Sequence, residues 1–294
     1  MPWLERGNLR LYYEDVGEGE PILTNHGLME DCGYWSETGV TAKLAEHYRV
    51  ISMDMRGHGR TVLTGQPYGF DVGTMANDFS ALADSLGLDR FHILSHATGG
   101  MATVRYAMTH LKRLLSLMLT DTGSATAPDM PMPEGQEQLD PEARREAFIL
   151  GAEARKITSV EDWLIYARAN PGPFLFKMAE NPDAERMWGI YEGFLRRSDP
   201  VAIGNFMLSF YADPDPMIEG LRQITCPTLI LLGEFDLVFL GPSEILAREI
   251  PDNRHVILNG IGHMTAIEDP ERTANEILDF LKTVAETGKA QKTG

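Results

Sequence analysis

Short apolar runs that alternate with segments of helical periodicity constrain this chain more than any other feature. Arg49 to Asp54, Arg90 to Ser95 and Leu114 to Thr120 read as strands. Between them, Gly73 to Leu86 places Met75, Phe79, Leu82 and Leu86 on one helical face, and about Thr98 to His110 forms a second helix. This βαβα order implies a mostly parallel sheet with helices on both faces, the α/β class. The sheet resumes at Pro227 to Gly233, where Thr228-Leu229-Ile230-Leu231-Leu232 suits a strand buried on both sides, and continues at Arg254 to Leu258.

At the start, Leu9 to Val16 alternates as a strand, and Gly17-Glu18-Gly19-Glu20 leads into Pro21 to Thr24, which predicts an opening β-hairpin. A helix is predicted near Tyr34 to Glu46. The last helix follows Asp269 as N-cap, with Pro270 in its first turn and Ala274, Ile277, Leu278, Leu281 and Val284 as its apolar stripe. The tail looks disordered from Thr287 onward, and 289–294 is assigned as flexible.

From Ser124 to Asp215 the alternation stops. Pro128, Pro131 and Pro133 lead into helical segments with no convincing strand. The expected organisation is therefore a core of 1–123 and 216–288 with an inserted helical cap at 124–215. The cap carries Phe148, Trp163, Tyr166, Phe174, Phe176, Trp188, Tyr191, Phe194, Phe206, Phe210 and Tyr211. Most belong to its own core, and a few, with Trp163 and Trp188 as candidates, are expected to line an apolar pocket.

With 294 residues and 43% apolar content, the chain can bury a sizeable core. A balance of 43 acidic against 26 basic residues gives a net charge of −17, which disfavours nucleic acid and phosphate-rich ligands as partners. No run of about 18 uncharged apolar residues suggests a membrane span, and the first residues lack a signal-peptide core, so a cytoplasmic monomer or homodimer is expected. Cys32 and Cys226 are far apart and read as packing residues. His26, His58, His96 and His263 fall at predicted strand ends, but no pair has the short helical spacing of zinc hydrolases, so no metal or other cofactor is expected.

The chemistry lies in Ser95-His96-Ala97-Thr98-Gly99-Gly100, between a predicted strand and a helix. A sharp strand-to-helix turn lifts one strained residue above a sheet and requires small residues two positions to either side; Ser95 and Gly99 are small enough. The hexapeptide resembles the nucleophile elbow, G-x-S-x-G, of the α/β-hydrolase superfamily. The lifted position, however, is Ala97. The resemblance covers nearly the whole chain. His26-Gly27-Leu28 is similar to the family's oxyanion turn, which implies backbone N–H donors from Leu28 and Thr98. Asp54-Met55-Arg56-Gly57-His58-Gly59 resembles its D-x-R-G-x-G turn, which we read as structural, with His58 a packing residue.

Gly233-Glu234-Phe235-Asp236 ends a strand where the family carries its acid, and Gly260-Ile261-Gly262-His263-Met264 follows the next strand, where it carries its histidine. The chain order of elbow, acid and histidine is that of the fold. Asp236 is thus the expected acid and His263 the expected base, with Asp121 as the alternative acid and Glu234 expected to point elsewhere. Met29, Trp35 and Met264, beside these motifs, are candidate substrate contacts.

Alanine has no group to attack a carbonyl, so acyl transfer through position 97 is closed to the chain as it stands. Two accounts compete: a serine was replaced, which leaves a site that holds intact substrate, or the nucleophile was lost naturally and the protein binds a ligand or works through His263 alone. The acid, histidine and oxyanion turn all remain, which favours the first. The resemblance implies a cofactor-free hydrolase of an apolar small-molecule ester or lactone. Carbon–carbon bond hydrolases, perhydrolases or haloperoxidases, receptors and cofactor-free histidine-dependent dioxygenases share the fold and stay open as alternatives.

Overall fold

The computed structural model describes residues 3–65, 69–125, 140–210 and 215–290. Its strands are β1 (Trp3–Arg6), β2 (Leu9–Val16), β3 (Pro21–Asn25), β4 (Arg49–Met53), β5 (Val62–Leu63), β6 (Phe91–His96), β7 (Leu114–Thr120), β8 (Thr228–Gly233) and β9 (Asn253–Leu258). They form one sheet in the order β1-β2-β4-β3-β6-β7-β8-β9, with β5 beside β2. From β4 to β9 neighbours run parallel, whereas β1, β2, β4 and β5 pair antiparallel through β2.

Why the central strands are apolar without interruption follows from the two cores they separate. Leu23, Ile51, Ile93, Leu117 and Ile230 pack on one face, with Phe79 and Val104 from the helices Val72–Ser85 and Ala97–His110. Their immediate neighbours Ile22, Val50, Leu94, Met118 and Leu229 pack on the other, with Leu44 and with Ile277 and Phe280 of the helix Pro270–Thr287. Successive side chains point to opposite faces, so a strand covered on both sides needs apolar residues at every position.

The opening hairpin expected at Gly17 to Glu20 is corrected. That connection joins strands that do not pair: Val16 lies opposite Val50, and Pro21 opposite Arg49, so β4 sits between β2 and β3. Four residues suffice to step over one strand, a distance of about 10 Å. The hairpin is instead β1–β2, turning at Gly7-Asn8. The helix predicted over Tyr34 to Glu46 is two short ones, Gly33–Ser36 and Val40–Leu44, separated at Gly39, whose φ is 92°. A helix not read from the sequence, Leu240–Glu249, crosses between β8 and β9.

The tail also differs. Gly288 closes the last helix in the left-handed conformation, Ala290 is buried and donates its N–H to Asp252 Oδ1 at 3.1 Å, and Lys289 pairs with Asp252. An aspartate beyond the helix end anchors these two residues, and local composition does not reveal it. Residues 291–294, Tyr211 and the three prolines at 128, 131 and 133 lie outside the described residues.

Between β7 and β8 the described residues hold six helices and no strand: Pro141–Ile157, Val160–Ala169, Gly172–Glu180, Ala184–Arg197 and Pro200–Phe210 within the insertion, and the short Ile218–Leu221 after it. Arg197 fastens this insertion to the loop after β3, with Nε donating to Asp31 Oδ2 at 2.5 Å and Nη2 to Oδ1 at 3.1 Å. Nearby, Gly59 N–H donates to Ser198 Oγ at 3.0 Å. The insertion thereby covers the carboxyl ends of the strands, where open α/β sheets place their ligands. No helix among the described residues is long and apolar enough to cross a membrane.

Candidate active site

β6 ends at His96 and the helix Ala97–His110 begins at the next residue. Ala97 takes the whole reversal with φ 44°, the left-handed region that costs a non-glycine residue roughly 1–2 kcal/mol. The turn closes because Gly99 N–H donates to His26 O at 3.1 Å, and Thr122 Oγ1 donates to Ala97 O at 2.5 Å. A Cβ on Gly99 would collide with His26 O and lie 2.8 Å from Asn25 Nδ2; one on Gly100 would lie 2.5 Å from Thr122 Cγ2. Gly99→Ala is therefore expected to destabilise the fold by about 1–3 kcal/mol through overpacking, read as a lowered denaturation midpoint. An unchanged midpoint would show that the elbow can relax.

The oxyanion turn is held by His26. Its Nε2 accepts Met55 N–H at 2.9 Å, so Nδ1 carries the proton and donates to Gly27 O at 2.8 Å. Leu28 and Thr98 follow these fixed points and border the cavity beside Ala97. Thr98, in the first turn of its helix, has no intrahelical acceptor for its N–H. His58 packs against His26 and Phe206, and its Nδ1 donates to Arg56 O at 3.0 Å. Burial and the nearby His26 lower its pKa to about 3, which keeps it neutral and structural.

Asp236 and His263 meet. Asp236, from the turn after β8, accepts His263 Nδ1–H on Oδ2 at 2.9 Å, which leaves Nε2 as the free ring nitrogen on the cavity side. Phe239 stacks on the imidazole with centroids 5.5 Å apart, and Phe174 from the insertion lies 4.7 Å from it. Burial disfavours charge on His263, but the attraction and hydrogen bond of Asp236 outweigh it and raise the pKa above the ordinary histidine value. Asp121 does not take this place. Its Oδ1 accepts Gly233 N–H at 3.1 Å and its Oδ2 accepts Thr265 Oγ1–H at 2.6 Å, so it braces the two loops that carry Asp236 and His263. Burial, then the charge of Asp236, pushes its pKa well above the carboxylate range. Glu234 points away and accepts Gly260 N–H at 2.8 Å.

Among the described residues, two groups of acids and softer ligands lie close enough to share an ion: Asp121, Asp236 and His263, and Asp31, Cys32 and Asp54. In each the ligand atoms already serve hydrogen bonds. Asp54 accepts Cys32 N–H and Arg60 N–H at 2.7 Å each, and Asp31 holds Arg197. Cys32 and Cys226 are buried and unlinked, and burial raises the Cys226 thiol to about 12.

A cavity of about 440 Å³ lies over Ala97, between sheet and insertion. Met29, Met264 and Trp163 line it, as the sequence suggests, and so do Tyr191, Phe174 and Phe239. Two predicted contacts are corrected. Trp35 is fully buried, because its indole turns to the end of β3, where Nε1–H donates to Asn25 O at 2.8 Å. Trp188 lies inside the insertion, covered by the Arg168 guanidinium 5.1 Å from its ring. Sequence reasoning missed Glu30, which lines the cavity while its Oε2 accepts Gly27 N–H at 2.6 Å and meets His96 Nδ1 at 3.0 Å. An acid two residues beyond the Leu28 donor was the available signal.

These features define an α/β-hydrolase site. The family model described as alpha/beta hydrolase fold matches residues 20–270, and the chain belongs to that family. Among curated relatives it is similar to a 2-hydroxy-6-oxononadienedioate/2-hydroxy-6-oxononatrienedioate hydrolase of Pseudomonas putida, 28% identical, covering 94% of this chain and 92% of that one. It is also similar to a non-heme haloperoxidase of Rhodococcus erythropolis, 24% identical, covering 96% and 100%. Among solved structures, a thermophilic esterase from Thermogutta terrifontis superposes with a TM-score of 0.76 at 26% identity, covering 94% of each chain.

Proposed function

We propose that this chain is built as a serine-type hydrolase of a neutral, largely apolar ester or lactone, and that Ala97 makes it a binder of intact substrate. The observation that carries the reading is the His263 Nδ1–Asp236 Oδ2 hydrogen bond of 2.9 Å beside a left-handed residue at the start of a helix. With serine at 97, His263 Nε2 would take the hydroxyl proton and Oγ would attack the carbonyl. Leu28 and Thr98 N–H would hold the oxyanion, and water activated by His263 would release the acyl group. Asp236 would keep the proton on Nδ1. The similarity to the Thermogutta esterase supports the reaction class.

The Pseudomonas relative bears the name of a dioate hydrolase, which makes selectivity between neutral and dicarboxylate ligands the point to test. The cavity favours the neutral ester, since no arginine or lysine is among the described residues that line it to receive a carboxylate. Soaking the chain with p-nitrophenyl butyrate, a dicarboxylate of equal length and a six-membered lactone, while following tryptophan fluorescence, tests this. Saturable binding of the neutral compounds without turnover is expected. Binding of the dicarboxylate alone overturns it.

A further inference from the structure

The cavity floor holds a second acid–histidine pair that the ester reading does not use. Glu30 is only 2% exposed but lines the cavity, and His96 behind it is fully buried and stacked on Tyr34 at 4.2 Å. Hydrogen bonding fixes how many protons this pair holds. His96 Nε2 faces the His263 carbonyl oxygen at 3.0 Å and Asp121 Oδ2 at 3.7 Å. A carbonyl oxygen only accepts, so Nε2 carries a proton. At 3.0 Å, Nδ1 and Glu30 Oε2 must share another. The pair is either imidazolium with carboxylate or imidazole with carboxylic acid, and in both forms it holds one transferable proton. Oε2 also accepts Gly27 N–H, while Oε1 has no hydrogen-bond partner among the described residues.

The Glu30 carboxyl lines the cavity next to the turn that carries the Leu28 N–H. A Cβ built on Gly27 would meet His96 Nδ1 at 2.9 Å, Glu30 Oε2 at 3.0 Å and the Ala97 Cβ at 3.1 Å, so acid, imidazole and methyl converge on the oxyanion turn. Acyl transfer does not call for a proton donor there, because backbone N–H groups of Leu28 and Thr98 would already serve its oxyanion. Proton abstraction next to a carbonyl does, since it needs a base at carbon and a proton donor at oxygen. His263 Nε2 supplies the base, and position 97 supplies no competing nucleophile.

We propose that the chain, with Ala97 as it stands, enolises an apolar ketone held in the cavity. His263 Nε2 removes a proton from the carbon next to the carbonyl. The C–H pair becomes the C=C bond, the carbonyl π pair moves to oxygen, and the Glu30–His96 pair delivers its proton to that oxygen. In reverse, the enol proton returns to the pair and His263 gives its proton back to carbon, so atoms and charge balance without oxidant, reductant or co-reactant. The two pairs are linked through the His263 carbonyl oxygen, which accepts His96 Nε2–H at 3.0 Å.

The test is hydrogen–deuterium exchange of phenylacetone in D₂O, followed by proton NMR as loss of the benzylic signal. We expect the chain to accelerate exchange by about 10²-fold over buffer, the lower range for positioned acid–base catalysis. His263→Ala should return the rate to that of buffer. Glu30→Gln keeps the shape but has no acid proton and should lower the protein-dependent rate by about tenfold or more. Glu30→Asp, which withdraws the carboxyl by one methylene, is the second variant and should also lose rate if Glu30→Gln fails to fold. Exchange at the buffer rate with the unmodified chain, or full exchange in a folded Glu30 variant, overturns the proposal. Ester hydrolysis after Ala97→Ser without ketone exchange removes this inference alone; exchange without such hydrolysis removes the ester reading alone.

Discussion

Ala97→Ser is expected to raise kcat/KM for p-nitrophenyl butyrate by about 10⁴-fold or more, since loss of a triad nucleophile costs enzymes of this type up to about 10⁶. The structure is prepared for the change. Serine adds one oxygen to a Cβ already present, and the left-handed backbone at 97 is already formed, so the substitution brings no new strain of the turn. His263 Nε2 is free for the hydroxyl proton, and Thr98 N–H at the helix start is unused. A factor of 10⁴ corresponds to about 5.5 kcal/mol of barrier. A burst of nitrophenol equal to the enzyme concentration, present with serine and absent with alanine, would identify the acyl-enzyme. Equal slow rates in both chains would mean that the 97 position does not face the bound carbonyl, and the serine-hydrolase reading would fail.

The parts of this site that local sequence determines were legible, and the parts that depend on distant contacts were not. The elbow was readable because a strand and helix with no connecting residues force a left-handed position and small neighbours, and Gly99 and Gly100 announce it. Asp236 was readable because it follows the buried apolar run Thr228–Gly233, and His263 because the shorter run Val256-Ile257-Leu258 ends just before its glycine-rich loop. The false hairpin at Gly17 to Glu20 has the opposite cause. A turn between two strands looks the same whether or not a third strand, β4, later inserts between them. Trp35 and Trp188 failed as pocket residues because an aromatic side chain near a motif can face either the cavity or the layer beneath it. Here the Nε1–H of Trp35 is held by Asn25 O. The pairing of Glu30 with His96 became visible only in three dimensions, since 66 positions separate the two partners of that bond.

In the Ala97→Ser background, Asp236→Asn should lower kcat by about 10⁴, whereas Asp121→Asn should cost less than about tenfold. The difference follows from what each acid holds. An amide at 236 presents no anionic acceptor to Nδ1–H, so the ring is free to adopt the tautomer with its proton on Nε2, where it cannot take one from serine. An amide at 121 can still accept Gly233 N–H and pair with Thr265 Oγ1, so the loops stay braced. The pH profile separates the two further. Because burial opposes charge on His263 and Asp236 more than offsets it, the neutral base forms only above the ordinary histidine value, and the acidic limb of kcat/KM should lie above about 6.5. Asp236→Asn removes the favourable charge and leaves burial, so its residual activity should show that limb at lower pH. The same raised pKa stabilises the fold fully below about pH 6.5, and that contribution disappears as pH rises through the folded-state value. A large rate loss in Asp121→Asn with an unmoved limb in Asp236→Asn would reassign the acid to Asp121.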